Sequence, residues 1–158
     1  MSKKIVETRK VDQIPSTLDL IQTKSIHLII DEPINSVKSG SVNIHIKGIN
    51  IRLIQSKAFT VNFPITVEAK VIVNKIERTV SLKANYLGQF NINTDPSKKD
   101  KPISVNSNNK EQFFVALKAL ETAVLMKTND LLQTNGINFL RLPLSSDYDL
   151  PFEIVNVS

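Results

Sequence analysis

The stretch FTVNFPITVEAKVIV (residues 59–73) decides the fold. Phe59, Val61, Phe63, Ile65, Val67, Ala69, Val71 and Val73 share one parity. Apolar residues repeating every two positions line one face of a β-strand. Pro64 interrupts the run and points to a sheet edge or a bend, because proline gives no ladder hydrogen bond. A turn near Asn74-Lys75 leads into a second run, in which Val80, Leu82, Ala84, Tyr86, Phe90 and Ile92 again share parity, with Gly88 between. Alternation this strict predicts an antiparallel sheet with one wet face.

Upstream, Val42, Ile44 and Ile46 alternate with Asn43, His45 and Lys47. After Gly48 the apolar set moves to odd positions, Ile49, Ile51 and Leu53. A slip of one residue would turn the core face outward, so the change predicts a bulge or bend at Gly48. The first strand is expected from Leu18 to Ile30, with Ile26, Leu28 and Ile30 alternating against Ser25, His27 and Ile29. The Asp31–Ser36 segment breaks it. Residues 1–16 read as a flexible N-terminal arm, and residues 17–158 as a single β-rich domain.

Downstream the period changes. After a polar loop over 93–109, Asn108 and Glu111 resemble a capping box. Phe113, Leu117, Leu120, Val124 and Leu131 then recur at helical spacing. The helix is expected over about 109–135, closed by Gly136. Leu125, Met126 and Leu132 widen its apolar surface beyond what one sheet needs, which points to a second contact surface such as a partner subunit. A short apolar tail, Phe139 to Leu144, precedes a turn at Ser145-Ser146-Asp147 and a last strand from Phe152. The fold class expected is α+β: an antiparallel sheet of four or more strands packed by one long C-terminal helix.

Composition narrows the function. The 158 residues are 41% hydrophobic, enough for a globular core of Ile, Val and Leu. The absence of cysteine rules out disulfides, thiolate metal sites and a cysteine nucleophile, and suits a reducing compartment. The N-terminus is interrupted by charge and has no apolar core of a signal peptide, and no run approaches the ~20 apolar residues that span a bilayer. The cytoplasm is the expected location. The net charge of +5 permits anionic partners without selecting one. The densest basic group, Lys98, Lys99 and Lys101, sits beside Asp95 and Asp100 and reads as a solvated loop.

Catalytic chemistry is not expected. The two histidines, His27 and His45, lie on predicted strands and face away from the apolar parity; a zinc site would need further ligands. The four glycines, Gly40, Gly48, Gly88 and Gly136, form no phosphate-cradling loop. No G-x-S-x-G elbow occurs. The pairs Asp31/Glu32 and Asp147/Asp149 fall in turns, where capping explains them. No cofactor or metal is therefore implied. The aromatics share the apolar parity rather than interleaving with Lys and Arg, so a nucleic-acid stacking platform is not expected either.

The order of parts resembles the SecB export chaperones and their SecB-like relatives over roughly residues 18–144. The residues that carry it are Lys24-Ser25-Ile26-His27-Leu28 in the first strand and the run Phe59 to Val73. They continue with Tyr86-Leu87-Gly88-Gln89-Phe90-Asn91-Ile92, then Asn135-Gly136-Ile137 with Leu140-Arg141-Leu142-Pro143. The chain departs from the family where Leu120 to Lys127 lack its Pro-Tyr-x-Arg. It departs again in its basic charge, with Ser25 and Ile29 where acidic residues dock the family on its export motor. The resemblance implies an ATP-independent holdase that binds unfolded clients through exposed apolar surface, with an antitoxin a fitting dedicated client. It implies a homo-oligomer, a tetramer or dimer. Client contact is assigned to the loop residues Ile34 and Val37 and the tail residues Leu140, Leu142 and Leu144. The subunit interface is assigned to Ile26 and Leu28 on the first strand and Val124, Leu125, Leu131 and Leu132 on the helix. Long strands wrapped on one helix also look like the tubular lipid-binding (TULIP) domains, which would turn the same apolar faces toward lipid.

Overall fold

The computed structural model describes residues 13–30, 39–54, 57–93, 110–137, 140–144 and 152–156. The strands are β1 (Ser16–Ile30), β2 (Ser39–His45), β3 (Ile49–Ile54), β4 (Ala58–Val73), β5 (Ile76–Ile92) and β6 (Phe152–Asn156). A 3-10 turn (Lys110–Phe113) leads into helix α1 (Phe114–Thr134). All six strands form one sheet in the order β1-β5-β4-β3-β6, with β2 also paired to β4.

The hairpin β4–β5 is the spine. Its ladder runs unbroken from Ala58↔Asn91 to Val73↔Ile76. The odd positions of β4 up to Val71 and the even positions of β5 from Val80 to Ile92 are buried, so the alternation in sequence is the core face. Asn74 and Lys75 both take positive φ, the two-residue turn whose twist matches the flanking strands.

β2 and β3 act as one strand with a fault. His45 faces Thr66 and Asn50 faces Asn62, so four residues on one side oppose three on the other. The extra residue is a bulge, and Gly48 there takes φ +79°. It keeps Ile44 and Ile51 on the same face although their parity differs. Pro64 occupies an interior strand opposite this fault, so the bend explains it and not an edge.

β1 carries two further bulges, at Asp19 and Lys24. They place Leu18, Ile21, Leu28 and Ile30 against the core, although their spacing is uneven, while Ile26 pairs with Ala84 on the same side and stays 44% exposed. Simple alternation reads the second half of the strand correctly and misses the first. β6 adds beside β3 in parallel, Ile49↔Phe152 to Leu53↔Asn156, a pairing that alternation alone did not suggest.

One face of the sheet carries α1. Phe59 stacks on its cross-strand partner Phe90 at 4.7 Å, and Phe113 meets Phe59 edge-on at 5.2 Å. Phe152 closes the row against Phe113 at 6.5 Å. These rings tie the start of the helix and β6 to the spine. Gly88 lets the helix settle: a Cβ there would meet Leu120 Cδ1 at 2.8 Å.

The helix ends are held differently from each other. At the N-terminus Phe113 gives no side-chain cap. Gln13 serves instead: its Oε1 accepts from Val115 N at 3.1 Å, and its Nε2 donates to Glu111 O at 2.8 Å. Ile14 N donates to Gln112 O at 3.0 Å. Asn108 of the expected capping box lies outside the described residues. Residues 13–16 therefore belong to the domain rather than to a loose arm, with Ile14 buried in the core. At the C-terminus Gly136 takes φ +80°, Ile137 N donates to Leu132 O and Gly136 N to Gln133 O. This is the glycine-closed helix end expected from Asn135-Gly136.

Candidate functional site

Among the described residues the buried polar or charged residues are Glu121 and Thr128. Tyr86 Oη lies 3.2 Å from Thr128 Oγ1, and Thr128 donates to Val124 O at 2.8 Å. Burial pushes the Tyr86 hydroxyl above its usual range, offset in part by the Thr128 bond. Glu121 is fully buried on the core side of α1, with Lys118 Nζ at 3.7 Å. No pattern in the sequence singled out this carboxylate, because an i,i+3 Lys–Glu pair reads as an ordinary solvated helix face. Among the described residues no group of three His, Cys, Asp or Glu gathers to hold a metal ion. His27 and His45 sit on different strands, across β5 and β4 from each other.

The surface offers apolar contact instead. β1 is an edge strand of 15 residues, about 50 Å long at ~3.3 Å per residue. Its outer side carries no strand among the described residues. Leu20, Ile26 and Ile29 are exposed on it, while Leu28 is half-buried. Lys24 and Asp19 at the bulges are charged interruptions of the kind that blunts indiscriminate edge pairing. Next to the start of β1, through the Gln13 and Ile14 bonds, lies the exposed flank of α1 with Phe114 and Val115; Met126 is exposed three turns on. Lys118 Nζ lies 5.8 Å from the Phe114 ring centre.

The structure divides the residues assigned from sequence. Ile34 and Val37 lie outside the described residues. Leu144 is 47% exposed, but Leu140 and Leu142 are buried at 6% and 4%. The alternation Leu140-Arg141-Leu142 turns two leucines inward and the arginine outward. Asn129 holds them there: its Nδ2 donates to Leu142 O at 3.0 Å, and Leu142 N donates to its Oδ1 at 2.7 Å. On the helix Val124, Leu125 and Leu132 are buried within this chain's own core, and Leu131 is half-buried. Of the helix surface that looked surplus, Leu125 and Leu132 are thus taken up by this chain's own core, and Met126 stays exposed. Among the described residues the large apolar side chains that α1 leaves exposed are Phe114 and Val115 at its start and Met126 further along. Sequence reasoning missed Val115 and Phe114 because they directly follow the buried Phe113, and the angle at which the helix lies fixes which of three neighbours faces in.

No protein-family model matches the chain, and no curated protein matches it by sequence. Among solved structures it is similar to the SecB-like chaperone Rv1957 of Mycobacterium tuberculosis, seen in complex with a ChAD peptide from the Rv1956 HigA1 antitoxin. The two share 11% sequence identity with a TM-score of 0.59, over 82% of this chain and 90% of that one. The fold expected from the order of elements, a SecB-like sheet with one C-terminal helix, is the fold found. No helix among the described residues is long and apolar enough to cross a membrane.

Proposed function

We propose that this chain is a holdase, an ATP-independent chaperone that keeps unfolded or partly folded proteins from aggregating, with an antitoxin as a fitting client. The observation that supports it most is the exposed apolar edge of β1 and flank of α1 on a SecB-like fold. In the M. tuberculosis protein, that fold is seen with an antitoxin peptide. Burying about 1,000 Å² of apolar surface yields roughly 25 kcal/mol gross, ample after the costs of ordering a flexible client. The absence of a phosphate-binding loop means that release relies on weak contacts that exchange quickly. Client contact is assigned to Ile34, Val37 and Leu144. Self-association is assigned to β1 through Ile26 and Leu28, with the Phe114, Val115 and Met126 flank in place of the buried helix leucines.

The test is light scattering of several unfolded proteins, an antitoxin among them, with and without this chain and with and without ATP. Delay of aggregation at stoichiometric amounts, unchanged by ATP and by moderate salt, is expected. No delay for any client removes the proposal. A monomeric native mass with co-purified lipid would instead favour the lipid-binding reading.

A further inference from the structure

The tail of this chain is seated as a bound peptide would be. Asn129 contacts Leu142 through both groups of one side-chain amide, at 2.7 and 3.0 Å, and both partners are main-chain atoms of a single residue. An amide side chain is chemically a peptide group, so this pairing copies the way one strand pairs with its neighbour. It reads no side chain, and any non-proline residue would satisfy it. On either side of the exposed Arg141, Leu140 and Leu142 are both buried, the pattern that alternate residues of an extended segment give. Beside them is an open pocket of about 320 Å³ lined by Asn129, Gln133, Ile137, Leu140 and Arg141. A main-chain clamp on one residue, with buried leucines two positions apart and an open pocket of mixed polar and apolar lining beside them, follows the recognition logic of an extended apolar peptide.

We propose that this seat is a peptide-binding site, occupied in the isolated chain by residues 140–142 as an internal stand-in. It would take any extended segment with apolar residues at alternate positions and a non-proline residue at the clamp. The inference rests on the holdase reading and refines it: Leu140 and Leu142 mark where a client segment sits rather than contacting it. The tail competes from an effective concentration in the millimolar range, because only residues 138 and 139 separate Leu140 from Ile137. Weak client segments are thereby rejected. Only segments that outcompete the tail are held.

The probe is a fluorescein-labelled synthetic peptide copying residues 137–144, INFLRLPL, titrated against the full chain by anisotropy. Leu142→Ser keeps the main-chain partners of Asn129 and removes one apolar anchor of the stand-in. It should bind the peptide at least tenfold more tightly than the wild type. Asn129→Ala in that background should lose at least fivefold. A cooperatively folded Leu142→Ser chain with no gain in affinity overturns the proposal, as does an unchanged affinity on adding Asn129→Ala. Should Leu142→Ser fail to fold, hydrogen exchange of the Leu142 amide in the wild type decides. Exchange faster than that of the slowest β4 and β5 amides supports a seat that opens locally, and exchange only with them refutes it. A chain that suppresses aggregation yet shows no gain refutes the seat and leaves the holdase reading intact. A gain without suppression does the reverse.

Discussion

Leu125 and Met126 are neighbours in sequence, and both widen the apolar surface of the helix. Successive helical residues point about 100° apart, and here that angle separates core from solvent. Leu125 is 2% exposed and Met126 is 52% exposed. Leu125→Ala removes a fully buried isobutyl group. Its lost methylenes are worth about 2.4 kcal/mol at ~0.8 each, and the cavity left behind raises the cost to about 3 kcal/mol. That is a large part of a total stability of roughly 5–15 kcal/mol, and it increases the unfolded fraction by roughly 150-fold. With a urea dependence of about 2 kcal/mol per molar, the midpoint should fall by about 1.5 M. Met126→Lys should leave the stability within about 0.5 kcal/mol of wild type. If the exposed flank of α1 is a subunit surface, the same change should lower the native mass. Urea unfolding followed by circular dichroism, with light-scattering mass on the same samples, reads both effects. The reasoning is refuted if Leu125→Ala costs under 1 kcal/mol, or if Leu125→Lys lowers the mass while the chain stays cooperatively folded. The helix would then present Leu125 outward.

The turn at residues 74–75 holds Lys75 at φ +66°, a conformation that glycine adopts without penalty, so Lys75→Gly should raise stability by about 0.5–1 kcal/mol in the same urea assay. At the helix end Gly136→Ala should cost about 1 kcal/mol, from backbone strain alone, since nothing lies within 4 Å of the added methyl. Tyr86→Phe should cost only about 0.5–1.5 kcal/mol, because Thr128 keeps its bond to Val124 O and no buried donor is orphaned. Burial raises the Tyr86 pKa above 10.0, so its contribution to stability is present in full below about pH 10 and is lost as pH rises above it. Tyr86→Phe should flatten that alkaline decline in a series of thermal melts, and an unchanged slope would show that other groups cause it.

The β4–β5 spine was legible in residues 59–92 because a strand's two faces meet different solvents, and a period of two is all that this requires. The same logic located the bulge at Gly48, where the parity of the apolar residues changes, and the helix end at Gly136, where only glycine fits the left-handed turn at no cost. Those are local constraints, written by residues near one another in the chain. The remaining features depend on contacts between distant residues, which no window of sequence contains. Gln13 caps a helix that begins 101 residues later. β6 returns to lie parallel to β3. Two bulges set the register of β1 against β5, so Leu20 faces water and Ile21 the core. The candidate site belongs wholly to this second kind. Apolar residues such as Leu125, Met126, Leu142 and Leu144 are interchangeable by composition. Only the docking of α1 on the sheet and the Asn129 clamp on the tail decide which are buried and which are left to meet a partner.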